Sequence, residues 1–161
     1  MYTAHHLTPL GTVQITADDE FITSVIIDPV KSDAPTGDHS LLKLAIKQLD
    51  EYFSGDRKVF DLPLQQPGTI FQQDVWQHLL QIGYGKTISY AQLSKQMENP
   101  LAIRAIAAAN GKNKLWIIVP CHRVIGSDGS LTGYAGGLRR KQWLLEHEAQ
   151  VCGQGQVKLA L

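Results

Sequence analysis

Long apolar runs are missing from this sequence: none approaches the roughly 20 residues that a membrane-spanning helix needs. No membrane partner is expected. The opening Met1-Tyr-Thr-Ala-His-His6 lacks the basic stretch and apolar core of a secretory leader, and the pair His5-His6 is too short for a tag. Cysteine is scarce, with only Cys121 and Cys152. Without an export signal, two cysteines suggest free thiols in a reducing, cytoplasmic setting. Metal-ligand spacing is missing too. Cys121, His122, His147 and Cys152 could be imagined as four ligands, but no C-x2-C or H-x3-H pair supports them, and no metal is expected. No internal repeat or low-complexity tract is visible. Net charge is also absent, with 15 basic and 15 acidic residues.

What is present is enough apolar material for a core, 43% of 161 residues, a length that fits one medium domain or two small ones. The charges are unevenly placed. Residues 1–80 hold five Lys/Arg against eleven Asp/Glu, a net −6; residues 81–161 hold ten against four, a net +6. A basic half can draw a polyanion to one face of a neutral chain, although a chance split gives the same numbers.

The pattern predicts an α/β (α+β) chain in two parts. Tyr2–His6, Thr12–Thr16 and Ile22–Ile27 read as an antiparallel meander, rich in Thr, Val and Ile and separated by turn formers. A polar loop covers 31–39. Ser40 is the expected cap of a helix with the stripe Leu41, Leu42, Leu44, Ala45, Leu49, Phe53, ended by Gly55. Val59–Leu64 is a candidate strand, and 65–68 the best linker. The domains expected are 1–66 and 69–150, with a tail at 151–161. The second is mostly helical. Thr69–Ile82 presents Ile70, Phe71, Val75, Leu79 and Leu80. Ser89 caps a short helix anchored by Leu93, and after Glu98-Asn99-Pro100 another helix runs from Leu101 to about Ala109. Two short helices about a tight break suggest a helix-turn-helix, winged-helix-like. The second helix carries small and apolar side chains and one charge, Arg104. That composition suits close approach to a minor groove with an inserted side chain; a buried helix with one snorkelling Arg fits the spacing as well.

A lone cysteine is usually an inert hydrophobe. Around Cys121 three features argue otherwise. Pro120 and the run Leu115–Val119 hold the backbone on one side, His122 and Arg123 follow and favour a thiolate, and a Gly-rich stretch at 126–137 could wrap a flat ligand. His is the usual base near neutral pH. On an extended strand His122 and Cys121 would point apart, so a turn or a bridging water is needed. Glu148 or Glu146 could orient the imidazole.

The segment Ile117-Ile-Val-Pro-Cys-His-Arg-Val-Ile125 resembles the active-site signature of the O6-alkylguanine-DNA alkyltransferases. Gly85-Lys-Thr-Ile-Ser-Tyr90, Asn99-Pro100 with Arg104, Asn113, Gly133–Gly137 and Trp143–Glu148 follow in family order. The likeness is strong over 68–149; residues 1–66 match only in general plan. It implies a single, irreversible transfer of an alkyl group from O6-alkylguanine in double-stranded DNA onto Cys121, with O4-alkylthymine as a further candidate substrate and no cofactor. By position, it implies that His122 deprotonates the thiol through a water and that Glu148 partners His122. It makes Asn113 a residue that orders the site and Tyr90 a proton donor to the leaving guanine. Val124, Tyr134 and Ala135 line the base site. Arg104 fills the gap left by the flipped base, with Ser89, Asn99 and Ala105 on the DNA-facing surface. A monomer is expected. Two positions depart from the pattern: Ala135, where some relatives have Ser, and Lys114, where many have Pro. Cys152 lies outside the match. The competing readings are a damage-sensing binder, which would lack the nucleophile, and a Cys-His hydrolase, which would turn over repeatedly.

Overall fold

A computed structural model describes residues 1–29 and 38–153; most of the expected polar loop (31–39) and most of the expected tail (151–161) fall outside them. The chain divides into two compact units, one of residues 1–67 with 114–118, the other of 68–113 with the chain from 119 onward.

In the first unit β1 (Tyr2–Thr8), β2 (Gly11–Ala17) and β3 (Ile22–Ile27) form an antiparallel sheet in the order β1-β2-β3. The period of two puts Val13, Ile15 and Ala17 on one buried face. In β3 the register shifts opposite Thr16/Ala17, so that Ala17 faces Ile22 and Thr16 faces Ser24. Thr23 is the extra residue, and this bulge lets Ile22 and Val25 both face inward despite their odd spacing. Helix α1 (Ser40–Ser54) packs on the sheet through Leu42, Ala45, Leu49 and Tyr52. Its cap is His39, whose ring accepts from the Leu41 N–H, and Ser40 is already helical. Leu44, expected in the stripe, is exposed. Gly55 ends the helix at φ 87°, a conformation that costs glycine little.

Val59–Leu64 is not a strand. Gln48, buried on α1, exchanges two hydrogen bonds with the Asp61 backbone (2.9 and 2.8 Å), and only Leu64 forms a bridge, to Ile22. The pairing that β3 lacks comes instead from Lys114–Ile118. The Val25 N–H donates to Lys114 O (2.8 Å) and the Trp116 N–H to Val25 O (3.0 Å). The Lys114 N–H, which a proline would lack, donates to the Gln66 side chain at 3.0 Å, so this loop is pinned by hydrogen bonds.

The second unit starts with α2 (Ile70–Leu79), opened by a Thr69–Gln72 capping box. Its inner face is Val75, Trp76 and Leu79, whereas Ile70 and Leu80 lie exposed. The Trp76 indole donates to Ala109 O (2.9 Å), which ties α2 to α4. A second capping box, Ser89–Gln92, opens α3 (Tyr90–Gln96). Glu98 at φ 56° turns the chain, and α4 runs Ile103–Gly111, starting two residues later than the sequence suggested because 99–102 form turns. The parallel pair β4 (Ile88–Ser89) and β5 (Val124–Ile125) lies between α3 and the segment that bears Cys121. Helix α5 (Leu138–Val151) closes the unit. Among the described residues, no helix is long and apolar enough to cross a membrane.

Candidate active site

Cys121, His122 and Arg123 form one turn of 3-10 helix rather than an extended strand, so they do not alternate between faces. All three are buried, Cys121 at 2% exposure and His122 at 0%. The sharp turn has an upstream companion: Ile117 sits at φ 73°, a conformation that strains a β-branched residue.

The hub beneath the turn is Glu148 of α5. Its Oε2 receives His122 Nε2 at 2.7 Å and Arg123 Nη2 at 3.1 Å; its Oε1 receives Arg123 Nε at 2.8 Å and the Gly85 N–H at 3.1 Å. Burial works against ionisation of Glu148, but the charge and hydrogen bonds of His122 and Arg123 prevail and hold its carboxyl well below the usual carboxylate range. Of the two glutamates considered, Glu148 takes this place; Glu146 accepts from Gln142 on α5. Because a carboxylate only accepts, Nε2 of His122 carries the proton and Nδ1 is the basic nitrogen. Nδ1 has no protein hydrogen-bond partner among the described residues. Burial depresses the His122 pKa, so the ring is neutral near pH 7.

The expected thiolate is corrected. Arg123 is occupied by Glu148 and by Ile82 O (2.7 Å) rather than by the sulfur. Burial pushes the Cys121 thiol up to about 11, although the Asn113 amide, donating to Sγ at 3.3 Å, and the charge of Lys141 oppose this. Asn113 is itself held by Val119 O at 3.0 Å. A sulfur of this kind is a resting thiol that needs a base, and the next residue in the chain carries a neutral imidazole.

Lys141 and Asn110 were not singled out from the sequence. Lys141, fully buried on α5, donates to Val124 O (2.6 Å), Thr132 O (2.8 Å) and Gly133 O (3.5 Å). It thereby ties β5 to the loop before Tyr134 and Ala135. Desolvation lowers its pKa to about 8. Asn110 reaches Tyr90 and the Cys121 carbonyl. The available signal was their position, a lysine four residues past a glycine pair and an Asn on a helix face otherwise made of Ala and Ile. Val124 is buried, Tyr134 partly so, and Ala135 exposed. On the hairpin, Arg104, Ala105 and Asn99 are exposed and Ser89 is half-buried as the α3 cap. Ile103, Arg104, Ala105 and Ala108 of α4 face outward, so the reading of α4 as a buried helix with one snorkelling Arg does not hold.

A helical hairpin with a small-residue outer face lies in the same unit as a buried cysteine and a His122–Glu148 pair, an arrangement that suits a DNA-binding protein equipped with a nucleophile. Comparison with known proteins gives the particular class. Residues 70–150 match the family model "6-O-methylguanine DNA methyltransferase, DNA binding domain", and residues 1–66 match its "ribonuclease-like domain". The methylated-DNA–protein-cysteine methyltransferase of Methanosarcina acetivorans is 41% identical over 153 residues, covering 92% of this chain and 98% of its own length. The constitutive enzyme of Bacillus subtilis is 45% identical over 137 residues, covering 80% and 83%. The Mycobacterium tuberculosis protein crystallised with DNA superposes with a TM-score of 0.87 at 41% identity, covering 94% of each chain. The chain belongs to the 6-O-methylguanine-DNA methyltransferase family.

Proposed function

We propose that this protein repairs DNA by direct reversal, moving an alkyl group from O6-alkylguanine in a duplex onto Cys121, once per molecule. The observation that carries the reading is the neutral His122. Glu148 holds its Nε2 at 2.7 Å, its Nδ1 is left basic, and it follows the buried Cys121 directly in the same turn. In the proposed step the thiol proton passes to His122 Nδ1 through a bridging water. Sulfur forms a bond to the alkyl carbon as the carbon–O6 bond breaks. The departing purine takes its electron pair and receives a proton from Tyr90. The proton on His122 and the charge on Tyr90 then cancel through solvent, so the balance is alkylguanine plus thiol to guanine plus thioether. The thioether has no bond that water readily cleaves, which makes the reaction single-use.

The other proposed roles carry over from the family resemblance. Asn113 directs the sulfur, and Val124, Tyr134 and Ala135 hold the extruded base. Arg104 occupies the vacated stack, and Ser89, Asn99 and Ala105 lie against the backbone. Residues 69–150 carry binding and transfer, and 1–66 support them. The protein acts as a monomer in the cytoplasm.

Intact-mass measurement after mixing with an O6-methylguanine duplex tests this. One methyl group on the peptide containing Cys121, and none in Cys121→Ala, is the expected result. Continued turnover of substrate beyond one equivalent would point to hydrolysis and overturn it.

A further inference from the structure

Asn110 is the polar member of the buried face of α4, 4% exposed beside Ile106 and Ala109. Its Nδ2 lies 3.3 Å from the Tyr90 hydroxyl and 3.4 Å from the Cys121 carbonyl. A carbonyl only accepts, so the amide must present its N–H groups on this side. Toward the same nitrogen, the phenol oxygen of Tyr90 can only accept. Its own hydrogen is therefore not directed at Asn110. The orientation has a cost, because Oδ1 of Asn110 is buried without a hydrogen-bond partner among the described residues. An amide turned the other way would accept the Tyr90 hydrogen and give up the Cys121 carbonyl.

From this geometry we propose that Asn110 is a positioning residue for proton delivery, holding Tyr90 as an acceptor so that its O–H is left for the departing purine. The inference rests on the reading of Tyr90 as the proton donor. The same contact eases proton loss. Burial raises the Tyr90 pKa, and the hydrogen bonds of Thr132 and Asn110 act in the opposite direction. Because Asn110 also touches the Cys121 turn, one side chain of the DNA-facing helix joins the acid to the nucleophile.

The test is a double-mutant cycle on single-turnover transfer from an O6-methylguanine duplex, using wild type, Tyr90→Phe, Asn110→Ala and the double variant. Binding of the same duplex is measured in a Cys121→Ala background. Asn110→Ala is expected to slow transfer about tenfold, the rate equivalent of one hydrogen bond, with affinity nearly unchanged. In the Tyr90→Phe background the same substitution should change the rate less than about twofold. Equal losses in both backgrounds would mean that Asn110 acts through the Cys121 turn or through packing, and would overturn the inference. A Tyr90→Phe variant as fast as wild type would instead overturn the proton-donor reading itself. A second measurement is insensitive to partial unfolding. In one sample, the rate with free O6-benzylguanine is divided by the rate with its 8-bromo derivative, whose leaving anion is a weaker base. Asn110→Ala should make transfer depend more on the weaker base. An unchanged ratio counts against the proposal.

Discussion

Four hydrogen bonds converge on Glu148, and they make the site sensitive to acid. His122 has a depressed pKa in the folded protein, so below about pH 6.5 the unfolded chain binds a proton that the folded chain resists, and stability falls. Glu148 is held low, and its contribution, present above the ordinary carboxylate range, is lost as pH falls further. Chemical denaturation between pH 8 and pH 4 should show both losses in turn. Transfer should decline as well, but only at a pH below the ordinary imidazole value, because burial delays the proton that would stop folded His122 from acting as a base. Glu148→Gln leaves Arg123 charged in a buried place and should cost about 3–5 kcal/mol, read as a lower denaturation midpoint. The thiol itself offers a third measurement. Cys152 is half-buried, whereas Cys121 is sealed and its pKa is raised to about 11. Iodoacetamide at neutral pH should therefore label Cys152 first, as peptide mapping would show. Preferential labelling of Cys121 would mean that the sulfur is more open and more acidic than the structure makes it.

At the level of elements, the exposed face of α4, with Arg104 and Ala105, can be probed apart from the buried face that carries Asn110. Arg104→Ala should slow repair of a duplex well beyond its effect on free O6-benzylguanine, because only the duplex has a base to extrude; equal losses would argue against insertion. Ser89→Ala removes one half of a capping box and should cost about 1 kcal/mol of stability. These helices and the three strands were legible because their apolar periods and caps are local signals. Others were not. Helix α5 turns Lys141 and Glu148 inward with Leu144, Leu145 and Ala149, so its buried stripe is partly charged and an apolar count does not mark it. Val59–Leu64 has strand composition, yet its backbone is taken by Gln48, a partner 13 residues away that propensity cannot register. Cys121 and His122 were legible as a pair. The protonation of the pair was not, because neighbouring charges in sequence said nothing of burial or of Arg123 turning to Glu148.

On the scale of the whole molecule, the acidic first half and basic second half make affinity for DNA depend on salt. Binding of a methylated duplex by Cys121→Ala should weaken as salt rises, with a small slope, because the basic surplus is small. A titration at several salt concentrations measures it. The chain's path adds a different consequence. Residues 114–118 leave the second unit to lie along β3, and the chain returns at Val119 only two residues before the nucleophile. A single cut cannot yield two intact pieces. A fragment covering 68–153 would keep Leu115, Ile117 and Ile118 but lose the strand they lie along, so it should be less soluble and melt earlier than the full chain. The N-terminal sheet thus grips the lead-in peptide: Val25 clasps Lys114 and Trp116 through the backbone, a handhold only five residues upstream of the cysteine.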